Sequence, residues 1–237
     1  MHPKEYIGLI ILGTLTDTLD AAGKVTETRP VPEFNQAILD SLAEKKFHGK
    51  ISQVPPAVSA LKKDGERYYV KAQRGEPIEP PPRETMIYSL KLKKVNASNI
   101  ELIVRCSSGF YVRSLARDIA KEIGTVGYLD ELVRTSVGPF LLDDAIDPNT
   151  VQSLDSIRDK IYPVDYPMNI IPRINLDTEP TGKFIHGISV EIEMEPEILS
   201  GRRIAVYCKG IFIGVGEIKI ENELVELIPL KVIAKPD

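Results

Sequence analysis

"SNIELIVRCSSGFYVRSLARDIAKEIG", residues 98–124, changes its hydrophobic period midway. Ile100, Leu102, Val104 and Cys106 recur at every second position with polar neighbours between them, the pattern of a strand with one buried face. Val112, Leu115, Ala116, Ile119 and Ile123 then recur at helical spacing, and Gly124 supplies a stop. Upstream, "MIYSLKLKKV" (86–95) alternates at Leu90 and Leu92, and "NASN" (96–99) separates the two runs, so an antiparallel hairpin is expected. A hairpin that passes through the tight turn "SSGFYVR" (107–113) into an amphipathic helix sets the class as α/β, of the α+β kind.

The flanks extend this pattern. "KEYIGLIILGTLTD" (4–17) reads as a strand closed by Gly13 and threonines. "VPEFNQAILDSLAEKKF" (31–47) carries Phe34, Ile38 and Leu42 at four-residue steps, which predicts an amphipathic helix. Residues 49–84 hold prolines 55, 56, 77, 80, 81 and 82 and read as a surface excursion. "DPNTVQSLDSIRDKI" (147–161) offers Asp147 as an N-cap and Pro148 at the first helical position, with Val151, Leu154 and Ile161 as its apolar side. A proline-punctuated linker, "YPVDYPMNIIP" (162–172), precedes short glycine-bearing strands that suggest a small β-barrel-like module. The expected domains are 1–165 and 166–237.

Composition narrows the functional classes. A hydrophobic share of 43% and a charged share of 27% are ordinary for a soluble globular chain. The apolar run "YIGLIILG" (6–13) is strand-sized, too short for a membrane span and without a signal peptide's flanks. Cys106 and Cys208 lack metal or redox spacing and read as reduced core residues, which fits the cytoplasm. Net charge is −4, which argues against a general nucleic-acid-coating protein but leaves room for a local basic surface. His2, His48 and His186 are scattered, with no ligand spacing, and phosphate-cradling glycine loops are absent, so neither metal nor cofactor is expected.

Two stretches bear on chemistry. In "CSSGFYVRSLARDIA" (106–120), Tyr111 and Arg113 alternate and would share a face if that stretch is still extended. A phenol and a guanidinium there can stack on a flat base, hold a carboxylate ionised or anchor a phosphate. A core tyrosine beside a surface salt bridge is the plainer account of the same residues. In "GTLTDTLDAAGKVTE" (13–27), Asp17 and Asp20 lie among small residues and threonines, and either a nucleophile or a turn would look this way.

Four blocks, "KEYIGLIILGTLTDTLDAAGKV" (4–25), "QVPPAVSALKKDGERYYVKAQRGEPI" (53–78), "CSSGFYVRSLARDIAKEIGTVGYLDELVRTSVGPF" (106–140) and the glycine-rich β tail, resemble the bacterial TruB family of tRNA pseudouridine-55 synthases in order and spacing. The resemblance covers essentially the whole chain. It implies a catalytic core with a mixed, mainly antiparallel sheet, a PUA-like C-terminal RNA-binding module, and isomerisation of a tRNA T-loop uridine without metal or cofactor. By position, Tyr6 would stack on the flipped base, Tyr111 would lie against it as a candidate for proton transfer, Arg113 would pair with the catalytic aspartate and Leu132 would help close the base pocket. Residues 49–84 would be the insertion that grips the T-arm, with Lys62, Lys63, Arg67, Lys71 and Arg74 on phosphates and Tyr68 and Tyr69 on bases. A solvated helix with Asp64 and Glu66 is the alternative there, and Val58 stands where the family commonly has tyrosine.

The family's nucleophile belongs to a "G-x-L-D-P-x-A-x-G" segment followed by an apolar helix. After Gly23 this chain continues as polar, β-branched "KVTETRPV" (24–31), so Asp17 and Asp20 are expected to fix a turn or contact substrate, and the nucleophile is expected upstream of Met1. Three origins compete: a separate N-terminal chain, a misassigned start, or loss of catalysis that leaves a tRNA-binding or tRNA-folding module. This polypeptide alone is then expected to bind RNA without turnover, and to keep Asp20 away from the Arg113 guanidinium. The two side chains in contact at the floor of a cleft would overturn the reading that the nucleophile is missing.

Overall fold

The computed structural model describes residues 3–59, 62–63, 66–67, 74, 80–192, 202–221 and 224–233. Two units, Met1–Ala145 and Ile146–Asp237, divide the chain, where the sequence places a boundary at 165/166. In the first, six strands follow the order β10-β9-β1-β8-β7-β4. These are β1 (Lys4–Leu12), β4 (Gly49–Gln53), β7 (Arg83–Lys94), β8 (Asn99–Cys106), β9 (Gly127–Val137) and β10 (Phe140–Leu141). Every neighbouring pair in this sheet is antiparallel.

The period-two reading of 98–106 fits the structure. Ile100, Leu102, Val104 and Cys106 are fully buried, while Arg105 is exposed. The hairpin closes through Val95, whose N–H donates to the Asn99 carbonyl at 3.0 Å. The following helix, α2 (Val112–Ile123), buries Val112, Leu115, Ala116, Ile119 and Ala120. It packs on the face carrying Ile10, Leu12, Ile100, Leu102 and Val104. The helix comes close at Gly127, where an added Cβ would stand 2.8 Å from the Ala120 side chain and 2.9 Å from the Ile11 carbonyl.

Two helical expectations need correction. Between 31 and 47 the α-helix is only α1 (Gln36–Ser41), continued by a π-turn at Leu42–Lys46. Leu39, Ala43 and Phe47 are buried there, whereas Ile38 is 42% exposed. Phe34 is buried too, but it precedes the extended N-cap Asn35 and so carries no helical phase. Residues 147–161 form 3₁₀ turns at Pro148–Thr150 and Asp155–Lys160 instead of an α-helix. Asp147 caps as expected, accepting from the Asn149 N–H at 2.9 Å. Leu154 and Ile161 are 78% and 63% exposed, so no packed face drives helix propagation.

The expected excursion at 49–84 begins and ends inside the sheet. β4 pairs with β7 from Gly49↔Ile87 to Gln53↔Arg83, so the chain leaves the sheet at Gln53 and returns to it at Arg83. Between them lie β5 (Lys62–Lys63) and β6 (Glu66–Arg67), with Lys62 opposite Arg67 in register. The Lys62 side chain and Tyr69 lie outside the described residues.

In the second unit, five strands take the order β11-β13-β14-β15-β12. They are β11 (Arg173–Asn175), β12 (Val190–Glu191), β13 (Arg203–Cys208), β14 (Ile211–Glu221) and β15 (Leu224–Val232), beside α3 (Thr178–Ile185). Register shifts at Val206/Tyr207 and Val215/Gly216 bend this sheet around Phe184, Ile204, Val206, Ile213 and Leu227. The curled sheet fits a PUA-like module. β11 and β13 pair in parallel in this second sheet, whereas the strand pairs of the first sheet, where a mixed arrangement is expected, are antiparallel.

Burial pushes the Cys106 thiol up to about 12, with Lys4 pulling the other way. Because the folded value is raised, the protonated thiol contributes stability below its ordinary value of 9.0, and this is lost as pH rises toward about 12. Cys106→Ala should therefore show a shallower fall in urea midpoint above pH 9 than the wild type. Parallel alkaline profiles for the two proteins would count against this.

Candidate active site

The loop after β1 builds the first part. β2 (Thr14–Thr16) and β3 (Val25–Thr28) pair as a small hairpin, so the stretch after Gly23 is a strand, as its polar β-branched sequence predicts. Asp17 fixes that turn: its Oδ1 accepts from the Lys24 N–H at 2.9 Å. Gly23 is close-packed, since a Cβ there would run into the Thr18 and Asp17 side chains.

Asp20 does more than hold a turn. Its Oδ1 accepts from the Thr18 hydroxyl at 2.6 Å and the Ala22 N–H at 3.2 Å. Its Oδ2 accepts from Arg113 Nη1 at 2.9 Å. The expectation that keeps these side chains apart is therefore corrected. The physical reason is Leu19, a non-glycine residue with φ of 62°. This left-handed conformation is costly for leucine. It is held by burial and by two backbone bonds, Leu19 N–H to the Thr16 carbonyl at 3.2 Å and Leu129 N–H to the Leu19 carbonyl at 3.1 Å. The reversed turn carries Asp20 onto Arg113.

Arg113 is the second residue of α2, not part of an extended stretch. The shared face with Tyr111, expected from alternation, is thus replaced by a strand-to-helix corner with Tyr111 as the extended N-cap. The guanidinium also donates from Nη1 to the Thr18 carbonyl at 2.9 Å and from Nη2 to the Val58 carbonyl at 3.1 Å. It thereby ties two loops to one helix. Ser114 adds to this, its hydroxyl donating to the Val54 carbonyl at 2.8 Å.

Tyr111 is set by Gln53, a residue the sequence reading quoted without a role. The Tyr111 N–H donates to Gln53 Oε1 at 3.1 Å, and Gln53 Nε2 donates to the Tyr111 carbonyl at 3.2 Å. Gln53 is only 1% exposed. A carboxamide thus imitates a backbone neighbour and fixes both polar groups of the N-cap.

Tyr6 and Leu132 lie on neighbouring strands. Tyr6 faces Arg134 in register, and Gly8 faces Leu132, so Tyr6, Gly8, Leu132 and Arg134 share one side of the β1/β9 pair. Tyr6 packs partly against the core, while Leu132 is exposed. Burial raises the Tyr6 phenol above its ordinary value, Cys106 adds to the rise, and a hydrogen bond from Arg134 opposes it. Among the described residues, no group of three or more His, Cys, Asp or Glu is arranged to hold a metal ion, and no helix is long and apolar enough to cross a membrane.

Known proteins resemble this chain in sequence and fold. Residues 1–112 match "TruB family pseudouridylate synthase (N terminal domain)", and residues 172–232 match "Pseudouridine synthase II TruB, C-terminal". A tRNA pseudouridine synthase B of Psychrobacter cryohalolentis is 42% identical over 178 residues, 74% of this chain and 49% of the relative. With a second Psychrobacter relative at 47%, this means that the chain spans about half the length of these curated relatives. In structure, the chain is similar to the crystal structure of a Cbf5-Nop10-Gar1 complex, with TM-score 0.65 and 20% identity over 97% of this chain and 66% of that one. The tRNA pseudouridine synthase B of Caldanaerobacter subterraneus subsp. tengcongensis is 36% identical over 219 residues, 91% of this chain and 73% of the relative, and the chain belongs to the TruB family of pseudouridylate synthases.

Proposed function

We propose that this chain recognises a uridine in the T loop of tRNA and serves its isomerisation to pseudouridine. The observation that carries the reading is the Arg113 guanidinium, held at the start of α2 beside the fixed N-cap Tyr111, with a carboxylate on its Nη1. The reaction needs the base to leave its stack, and an aromatic face offsets the lost stacking by roughly 1–3 kcal/mol. Tyr6 and Tyr111 are the rings that fit this role. The relatives carry the name tRNA pseudouridine synthase B, which supports the same substrate class.

Asp20 has two candidate roles. Its contact with Arg113 at 2.9 Å favours a nucleophile positioned by a guanidinium. Its hydrogen bonds favour an anchor: both oxygens are engaged, and Arg113 spends further donors on two carbonyls. The closed network supports the anchor more strongly. Asp20 then holds Arg113 in place for an attacking carboxylate on a "G-x-L-D-P" segment, a motif that these 237 residues do not contain.

Purified residues 1–237 should retain unmodified tRNA in a salt-sensitive way, keep that retention in Tyr111→Phe, and form no pseudouridine. Substantial product that disappears in Asp20→Asn would make Asp20 the nucleophile and overturn the anchor reading. A chain that binds tRNA yet stays inactive when a polypeptide carrying the motif is added would be a binding or folding module.

A further inference from the structure

Arg134 borders the site beside Tyr6 and carries no role in the reaction proposed above. It stands directly across from Tyr6 on β9, and its charge and hydrogen-bonding capacity oppose the rise that burial gives the Tyr6 phenol. It is nevertheless exposed, and among the described residues no carboxylate lies within salt-bridge distance of it. A guanidinium carries five N–H donors in a planar fork, of which a phenol oxygen can take at most two. The remaining donors stand at the rim of the face formed by Tyr6, Gly8 and Leu132. An exposed cation with spare donors, next to an aromatic ring that is itself partly exposed, matches the two parts of a nucleotide: a base for the ring and a phosphate for the fork.

We propose that Arg134 is a phosphate-binding residue, gripping the RNA backbone beside the nucleotide whose base rests on Tyr6. One side chain then stands beside the stacking ring and holds the strand from which the base is drawn. Because β1 and β9 are adjacent strands of one sheet, both contacts are made on a rigid support. The proposal rests on the tRNA reading above.

The test is tRNA retention by the full chain at several salt concentrations, for wild type, Arg134→Gln, Arg134→Lys and Tyr6→Phe. Glutamine removes the charge yet can still donate to the phenol, while lysine keeps the charge. Loss of one phosphate contact should reduce the slope of log affinity against log salt by about 0.7–0.9 in Arg134→Gln. Arg134→Lys and Tyr6→Phe should keep the wild-type slope, and an unchanged urea midpoint for Arg134→Gln would confirm that the fold is intact. Weaker retention with an unchanged slope in Arg134→Gln would reduce Arg134 to a support for Tyr6 and overturn the assignment. A wild type without salt-dependent retention would instead overturn the tRNA reading, and this proposal with it.

Discussion

Arg113→Ala should lower stability by about 2–4 kcal/mol, read as a fall in urea midpoint with unchanged slope. The expected loss is this large because one guanidinium serves three acceptors on two loops: the Asp20 carboxylate and the Thr18 and Val58 carbonyls. The Arg113 and Asp20 side chains are only 24% and 30% exposed, so water replaces the lost donors imperfectly. Arg113→Lys should recover less than half of the loss, since a single ammonium cannot reach all three acceptors with a fork's geometry. Asp20→Asn separates charge from hydrogen bonding. If the pair is an anchor, combining Asp20→Asn with Arg113→Ala should cost clearly less than the sum of the two single changes. Additive losses would mean that the two side chains do not act as a unit, and the anchor role would fail.

The same contact shows where a sequence stops being legible. The hairpin and α2 follow from burial periods that local residues state openly: Leu102 and Val104 alternate, while Leu115 and Ile119 recur by four. Asp20 and Arg113 are 93 positions apart, and their meeting depends on a left-handed Leu19, a conformation that leucine gives no reason to expect. The opposite failure occurs at 147–161. There the N-cap and the helix-start proline are genuine local signals, and Asp147 does cap, but Leu154 finds no partner face and the turn does not propagate. Local chemistry specified the start of that element, and tertiary packing decided its length. Resemblance filled part of this gap by naming Tyr6, Tyr111, Arg113 and Leu132 together, although it gave no hint of what holds them. Gln53 does that for Tyr111, and Asp20 with the Thr18 and Val58 carbonyls does it for Arg113, each through a contact to a residue distant in sequence.

Gln53 gives the second large effect. Gln53→Leu keeps approximate volume and removes both hydrogen bonds to Tyr111. The Tyr111 carbonyl still accepts from the Leu115 N–H at 3.1 Å, so the orphaned group is the N–H. Leaving it unpaired beside a residue that is 1% exposed should cost about 2–3 kcal/mol. Gln53→Glu makes the clamp depend on pH. A protonated carboxyl can still accept from the Tyr111 N–H and donate to its carbonyl, whereas a carboxylate sets an oxygen against that carbonyl. Burial and this hydrogen bond both favour the protonated form, so the introduced group's folded value lies above its ordinary value of about 4.3. Its stabilising contribution is then complete below that value and lost as pH rises through the raised one. Urea midpoints from pH 4 to 8 should fall for Gln53→Glu relative to wild type, and tRNA retention should weaken over the same range if Tyr111 touches the base. A Gln53→Glu profile parallel to wild type, together with a Gln53→Leu midpoint near wild type, would mean that α2 alone sets the N-cap. The carboxamide would then be a passenger in the site, and the placement of Tyr111 would need another cause.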